Sequence, residues 1–216
     1  MRYVVGLEGA GMMEKKRKGM QTVQPIREVR KIEAMKKILR ASGKRNELLF
    51  ILGINSALRI SDILSLKVSD VLDESGNVRD AVSLNEQKTS KSKLFPLNDS
   101  AKRAIREYVE EAKPEMEGPL FLSRKRTPNE ATKEKEVKAI SRVQAWEILS
   151  KAADEVGLEH IGTHTLRKTF GYHAYMRTNN LGLVQKLLNH RSSGETLRYI
   201  GIEQNEMDEA YLKLNL

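Results

Sequence analysis

The chain has 216 residues, of which 39% are hydrophobic and 31% are charged, and its formal net charge is +9 at pH 7. It has no cysteine, which excludes disulfides and thiolate metal sites, and its apolar runs are shorter than the roughly 20 residues that a membrane span needs. The four histidines show no close metal-ligand spacing, so we expect neither a metal nor another cofactor. The N-terminal apolar run is too short for a secretory leader, and we expect a soluble cytoplasmic protein with one main domain.

The positive charge is concentrated towards the N-terminus. Residues 1–56 contain 13 Lys or Arg against 5 Asp or Glu, whereas residues 203–216 contain one Lys against four acidic residues. A basic balance favours a polyanionic partner, although a solvated basic surface explains it equally well. The basic N-terminal portion, residues 1–56, is therefore a candidate for nucleic-acid backbone contacts. Within it, residues 1–24 combine glycines with a basic run and have no apolar period, so we predict a flexible basic arm there.

Apolar periodicity predicts two helices after this arm. The first begins at Pro25 and ends at Ser42, and its apolar stripe consists of Val29, Ile32, Met35 and Leu39. The second is capped by Asn46, runs to Ala57 and is apolar on nearly all sides. Such a helix is expected to be central and buried.

An arginine follows this apolar helix. Ser61 is a plausible N-cap for a short helix, and Arg59 lies just before it. An arginine between two apolar helices needs an anionic partner, because burying an unpaired charge is costly. Asp62 is either that partner in a structural ion pair or the group that orients Arg59 toward a bound anion.

The pattern then changes to a small hairpin. Residues 82–84 and 93–97 are predicted to be short strands, and the turn between them carries Lys88, Lys91 and Lys93 near its tip. A solvated turn is the ordinary explanation for such a lysine-rich hairpin.

Two more helices flank a polar loop. Asp99 is predicted to cap the first, with Ala101, Ala104, Ile105, Tyr108 and Val109 inward, and a break at Pro114. Residues 120–122 form a short buried segment, and residues 123–138 are charged and aperiodic, which favours a flexible loop. Ser141 is predicted to cap the next helix, which ends at Gly157 and faces the core with Val143, Trp146, Leu149 or Ala153, and Val156.

The last third of the chain contains the candidate chemical groups. His164 and Arg167 are three residues apart and share one face at a helix start, with Lys168 near that face and Gly171 leaving room for a bulky ligand. A later helix, entered through Asn179 and Asn180, buries Val184, Leu187 and Leu188 and ends at His190. Tyr199 follows nine residues further on, after a polar turn at residues 192–195 that we interpret as a hinge.

A phenol has a pKa near 10, so Tyr199 attacks nothing at neutral pH unless a base takes its proton or cations stabilise the developing charge. Two arginines can hold the non-bridging oxygens of a phosphodiester, a histidine can donate to it or accept the phenol proton, and a lysine can protonate the leaving alkoxide. The candidates for this metal-free site are Arg59, Lys88, His164, Arg167, His190 and Tyr199.

In these segments the chain resembles the tyrosine recombinases, the phage-integrase-type site-specific recombinases of phages and mobile elements. The matching segments are residues 57–66, 87–97, 164–170 and 187–190, followed by Tyr199. The resemblance covers residues 25–202 and implies a mainly α, α+β catalytic domain with a small antiparallel sheet. It also implies strand cleavage through a 3′-phosphotyrosine intermediate and a Holliday junction held by a homotetramer on double-stranded DNA, with a monomer or weak oligomer in its absence.

The resemblance also assigns roles. Tyr199 is the nucleophile, Arg59 and Arg167 hold the scissile phosphate, and Lys88 protonates the leaving 5′-oxygen, with Lys91 as the alternative acid. His164 is the base for Tyr199 or supports the phosphate, and His190 donates to a non-bridging oxygen. Asp62 orients Arg59, and contacts with DNA are expected from Lys91, Lys93 and Lys168.

Two departures from the family pattern matter. Asn189 stands where the family usually has glycine, for which we expect a small change in turn geometry. The family usually carries a separate core-binding domain, and about 24 residues before the first predicted helix are too few for one. Residues 203–216 form an amphipathic tail that docks either on a neighbouring protomer or on its own domain.

Three functions are compatible with these features. The first is a site-specific recombinase or integrase acting in the cytoplasm of a bacterium at the nucleoid. The second is a type IB topoisomerase-like relaxing activity, and the third is a non-catalytic remnant that binds DNA or regulates a recombinase.

Overall fold

A computed structural model describes residues 23–85, 92–123, 127–128, 135–136, 138–202 and 212. Its helices are α1 (Val29–Ser42), α2 (Lys44–Asn55), α3 (Ile60–Leu64), α4 (Val68–Val71), α5 (Asp99–Ala112), α6 (Arg142–Glu155), α7 (Thr163–Thr178), α8 (Leu181–Leu187) and α9 (Ser193–Ile200). Its strands are β1 (Ala81–Asn85), β2 (Ser92–Pro96), β3 (Thr127–Pro128) and β4 (Lys135–Glu136), which pair as two antiparallel ribbons, β1 with β2 and β3 with β4. The predicted mainly helical α+β fold is confirmed.

Helix α2 lies at the centre of the fold, as its apolar sequence predicts. Each of its residues from 46 to 53 is buried. One side contributes Leu48, Leu49 and Leu52 to a core shared with α3, α5 and the hairpin, and the other side contributes Phe50 to a core shared with α1, α6 and α7. A helix that is apolar on all sides is stable only when other elements cover all of it, so α2 fixes where its neighbours pack.

The predicted hairpin is confirmed, with strands that extend slightly beyond the predicted bounds. Val82 lies opposite Phe95 in the β1–β2 register, and both side chains are buried. Lys88 and Lys91, at the predicted tip, lie outside the described residues. The segment predicted to be a loop between 123 and 138 contains the short β3–β4 pair, with Thr127 opposite Glu136.

Several predicted helix starts are wrong by a few residues. Helix α1 begins at Val29 instead of Pro25, and Asn46 lies inside α2, where its side-chain amide donates to Ser42 Oγ at 3.0 Å. The N-caps of α3 and α5 are Arg59 and Asn98 rather than the following polar residues. Neighbouring polar residues compete for one cap position, so composition alone does not select among them.

The inward face of α6 also differs from the prediction. Ser141 caps the helix as predicted, by accepting from Gln144 N at 3.1 Å, but Val143 is 63% exposed and Trp146 is 49% exposed. Leu149 and Ala153 are buried as predicted, and Ala145 and Ala152 complete the buried stripe. Small alanine side chains let α6 approach the core closely. The larger Val143 and Trp146, which were predicted to face inward, lie off this contact face.

Helices α7, α8 and α9 form a third apolar cluster around Val184, Leu188 and Ile200. Gly171 does not leave room for a ligand, because a Cβ built on it would lie 2.8 Å from Ile200 Cγ2 and 3.0 Å from Leu188 Cδ1. The glycine therefore allows α7 to contact the end of α8 and α9 directly. Among the residues that the structure describes, no helix is both long and apolar enough to cross a membrane.

The close approach at Gly171 gives a stability prediction. Gly171→Ala forces the Ile200 branch carbon, which is stiff about χ1, to move, and should lower the free energy of unfolding by about 1–3 kcal/mol. Gly194→Ala is the matched control, since nothing lies within 4 Å of a Cβ there. In the control, the higher helix propensity of alanine should raise the free energy of unfolding by a few tenths of a kcal/mol. Chemical denaturation measures both, and equal midpoints for the two variants would contradict the packing role.

Candidate active site

Tyr199 lies in the last turn of α9, and both ends of this short helix are capped. Ser192 Oγ accepts from Glu195 N at 3.1 Å, and the chain leaves the helix through Gly201, at φ 75°, with Ile202 N donating to Leu197 O. The predicted hinge at residues 192–195 is therefore the N-cap and first turn of a helix. The capping fixes the direction in which the phenol points.

The Tyr199 ring is half-buried, and its hydroxyl oxygen is buried. The His190 ring meets it edge-on, with ring centroids 4.8 Å apart, and Lys168 Nζ lies 5.3 Å from its centroid. Burial raises the pKa of the Tyr199 phenol, while the positive charges of Arg167 and Arg59 oppose that increase. The nucleophile candidate is thus surrounded by cations, as its proposed chemistry requires.

Arg167 and Arg59 connect the parts of the site. Arg167 is 3% exposed and donates through Nη2 to the carbonyl of Leu188, at the end of α8. Arg59 is the N-cap of α3. Burial and then the charges of both arginines lower the pKa of His164 and of His190, and the same charges oppose the rise that burial causes in the pKa of Tyr199. Five of the six predicted residues are therefore brought together from four separate helix ends.

His190 is placed by the turn that ends α8. His190 N donates to Gln185 O and Asn189 N donates to Lys186 O, both at 3.0 Å, which is the Schellman pattern. Asn189 occupies the left-handed position at φ 51°, where asparagine is tolerated better than most residues. The expected small change in turn geometry thus corresponds to asparagine adopting a glycine-type conformation.

The imidazole of His190 is oriented by a side chain that the sequence did not single out. His190 Nδ1 lies 3.1 Å from Thr196 Oγ1, and Thr196 is fully buried one turn into α9. The Thr196 hydroxyl also donates to Ser192 O at 3.1 Å. Burial first, and then the charges of Arg167 and Arg59, lower the pKa of His190 against an opposing effect of Glu195.

His164 is the second residue of α7 and is exposed, so it lies at the open side of the site. Desolvation of its ring, followed by the charges of Arg167, Arg142, Lys168 and Arg59, lowers its pKa. Arg142 was missed by the sequence reasoning. Its position directly after the Ser141 cap was the available signal, because it puts a cation at the start of α6.

The predicted lysines have different locations. The Lys93 ammonium donates to the carbonyls of Ala57, at 3.3 Å, and Leu187, at 3.2 Å, so it is directed inward instead of being presented at the hairpin tip. Lys168 is only 5% exposed, and its contact with DNA stays a prediction. The positions of Lys88 and Lys91 lie outside the described residues.

Lys93 also holds the two backbone segments that lead to the site residues Arg59 and His190. Ala57 adopts φ 55°, an unfavourable value for a residue with a Cβ, two residues before Arg59. Leu187 lies three residues before His190. One ammonium therefore joins the hairpin to the turn before Arg59 and to the helix end before His190.

Asp62 is fully buried in α3. Its backbone N–H donates to Arg59 O at 2.9 Å, which closes the first turn of the helix. The orientation of the Arg59 side chain by Asp62 stays a prediction.

The chain is similar to known proteins over most of its length. The model of the family described as "Phage integrase family" matches residues 27–206. Probable integrase/recombinase YoeC of Bacillus subtilis is 45% identical over 192 residues, covering 89% of this chain and 97% of that protein. Tyrosine recombinase XerD of Corynebacterium glutamicum is 30% identical over 172 residues, covering 77% of this chain and 51% of that protein.

A solved structure shares the fold. It is the site-specific recombinase XerH bound to a palindromic difH substrate in a post-cleavage complex, with a TM-score of 0.64 and 19% identity. The match covers 91% of this chain and 54% of that one. The chain thus spans about half the length of XerD and XerH.

The inward position of Lys93 gives a second stability prediction. Lys93→Met removes two hydrogen bonds from a charged donor and leaves two carbonyls to find other partners. This should cost about 1.5–3 kcal/mol of unfolding free energy. The exposed Lys37→Met on α1 is the control and should stay within about 0.5 kcal/mol of wild type. Denaturant titration checks both, and a Lys93 variant as stable as the control would show that the two bonds contribute nothing.

Proposed function

We propose that this chain, which belongs to the phage integrase family, cleaves and rejoins DNA strands through a covalent bond between Tyr199 and a 3′-phosphate. Membership of the family, and with it the tyrosine-recombinase class of enzyme, was predicted from the sequence and is confirmed by the match over residues 27–206 and the 45% identity to YoeC. One observation carries the chemical part of the proposal. The hydroxyl oxygen of Tyr199 is buried where two guanidinium charges oppose the rise in its pKa.

The proposed cleavage step conserves atoms and charge. The Tyr199 oxygen bonds to phosphorus, the bond from phosphorus to the 5′-oxygen breaks, and the strand end becomes a 3′-phosphotyrosine. The phenol proton passes to a base, and the leaving 5′-oxygen takes a proton from an acid, to give a free 5′-hydroxyl. Rejoining reverses these steps with the 5′-hydroxyl of a partner strand.

Arg59 and Arg167 are proposed to hold the scissile phosphate. The transition state carries more negative charge on its non-bridging oxygens than the substrate does, so fixed guanidiniums stabilise it preferentially. The hydrogen bond from Arg167 to Leu188 O supports this role, because it prevents the guanidinium from following the substrate as it moves. Lys88 is proposed as the acid for the leaving oxygen, with Lys91 as the alternative.

The histidines are proposed to share the proton transfers. The Thr196 hydroxyl gives its hydrogen to Ser192 O, so the contact with His190 is best made by an Nδ1–H of the ring. In the neutral imidazole this leaves Nε2 without a hydrogen, and donation to a phosphate oxygen then requires the protonated ring. A bound phosphate favours that form. His164, on the open side, is proposed as base for Tyr199 or as a second phosphate ligand.

Double-stranded DNA is the proposed partner, and a net charge of +9 supports it. The palindromic substrate of XerH has two equivalent halves, and symmetric binding of more than one copy follows naturally from such a site. Assembly of this chain into a homotetramer on DNA, and action at the bacterial nucleoid, are part of the proposal.

Covalent capture tests the proposed function. Wild-type protein mixed with a library of nicked duplexes should yield an adduct that survives denaturation, because the fragment after the nick diffuses away and prevents rejoining. Tyr199→Phe should reduce the yield by at least about 10³-fold, since the nucleophile is lost. Tyr175→Phe, in the same apolar cluster, is the matched control and should keep the wild-type yield. Equal yields from wild type and Tyr199→Phe would refute the proposal.

The lowered histidine pKa values give a pH prediction. In the DNA-free protein, burial and then nearby cations disfavour the charged forms of His164 and His190, so the pKa of each should lie below the usual histidine value. Bound DNA brings negative phosphate to them, so the pKa of each should rise on binding. NMR titration of the four histidines measures this, with His160 and His173 as internal references. A rise shared equally by all four would contradict a phosphate held at the site.

A further inference from the structure

Lys168 is a buried lysine that the proposed mechanism leaves without a role. It follows Arg167 on α7, is 5% exposed, and its ammonium lies over the Tyr199 ring, 5.3 Å from the centroid. We propose that Lys168 is a further residue of the site, which holds the Tyr199 ring by a cation–π contact and favours the deprotonated, attacking form of the phenol. This inference rests on the nucleophilic role proposed for Tyr199.

The direction of the effect follows from the charge on the ring. A phenol ring attracts a cation through its electron-rich face, and the attraction is worth about 0.5–2 kcal/mol. A phenolate ring carries more negative charge, so the same ammonium binds it more strongly. The contact therefore strengthens as the hydroxyl loses its proton, which is the condition for an interaction that accelerates a reaction rather than one that only stabilises the ground state.

The burial of Lys168 supports this role over a DNA contact. Desolvation lowers the pKa of the Lys168 ammonium, and within the described part of the chain no carboxylate raises it. A buried charge without such a carboxylate is costly to keep, so the electron-rich ring is the compensating group that the structure provides. A lysine that served only the DNA backbone would be expected at the surface, where the ammonium stays hydrated.

Other charged groups also face Tyr199, and they must be kept constant in a test. They are Arg167 on α7, Arg59 at the start of α3 and His190 after α8, while Glu195 on α9 acts on His190. The two arginines keep their charge at all accessible pH values, and His190 loses its charge at a lower pH than a phenol ionises. A change in phenol ionisation caused by substituting Lys168 is thus separable from these contributions.

Phenol ionisation in the DNA-free protein is the direct test. Fluorotyrosine placed at position 199 ionises at a lower pH than tyrosine, where the protein is folded, and ¹⁹F NMR follows its titration. Lys168→Met should raise the pKa of this phenol by about one unit. Lys168→Arg keeps the charge and should therefore return the phenol pKa most of the way to its wild-type value. The exposed Lys151→Met on α6 should leave that pKa unchanged. An unchanged or lowered pKa in Lys168→Met, or no rescue by arginine, would overturn the inference.

Covalent capture supplies the second readout. At neutral pH, Lys168→Met should form the DNA adduct about tenfold more slowly than wild type, with the deficit shrinking as pH rises and with unchanged DNA affinity. Weaker DNA binding with an unchanged phenol pKa would assign Lys168 to the DNA contact and overturn the inference. Circular dichroism identifies an unfolded Lys168→Met, in which case Lys168→Gln replaces it. No adduct from the wild type would refute the proposed function alone, because the phenol titration is independent of DNA.

Discussion

The hydrogen bond from the buried Arg167 guanidinium to the Leu188 carbonyl is the interaction on which the rest of the site depends. Removing a charge from water is costly, and the Leu188 carbonyl at the end of α8 offsets part of that cost. The same contact sets the spacing between α7 and the turn that carries His190. Because the charge of Arg167 also acts on the pKa of Tyr199, His190 and His164, fold stability and site electrostatics share one group. A change at Arg167 would therefore disturb packing and chemistry together.

The site is assembled from the ends of helices rather than from their middles. Arg59 caps α3, His164 begins α7, His190 follows the Schellman turn of α8, and Tyr199 lies in the last turn of α9. Helix ends have defined capping geometry, so short polar contacts can orient each side chain without a long loop. The Lys93 ammonium extends the same principle by joining the hairpin to two of these ends. Rigid placement suits a reaction whose catalysis is mainly electrostatic.

Sequence patterns were sufficient to predict the main elements and the family, and they supplied the candidate site residues. The all-apolar α2 and the alternating hairpin strands have strong periodic signals, and the spacing of the last third matched a known family. Sequence patterns failed to predict which side chains are buried and where they point when contacts between distant segments decide this. Val143 and Trp146 look like core residues but are exposed, because alanines form the contact face of α6. Gly171 is explained by Ile200 and Leu188, which are close only in the folded chain. The inward directions of Lys93 and Lys168 likewise depend on carbonyls and a ring supplied from distant segments.

The proposed nucleophilic role of Tyr199 is tested most directly by identifying the residue and the DNA end that are joined in the covalent adduct. Adduct trapped on a nicked duplex is digested with nuclease and protease, and mass spectrometry locates the remaining nucleotide on the peptide. We expect a nucleotide linked through its 3′-phosphate to Tyr199, with a free 5′-hydroxyl on the released strand. Attachment to another residue, such as the neighbouring Tyr172 or Tyr175, or linkage through a 5′-phosphate, would contradict this expectation.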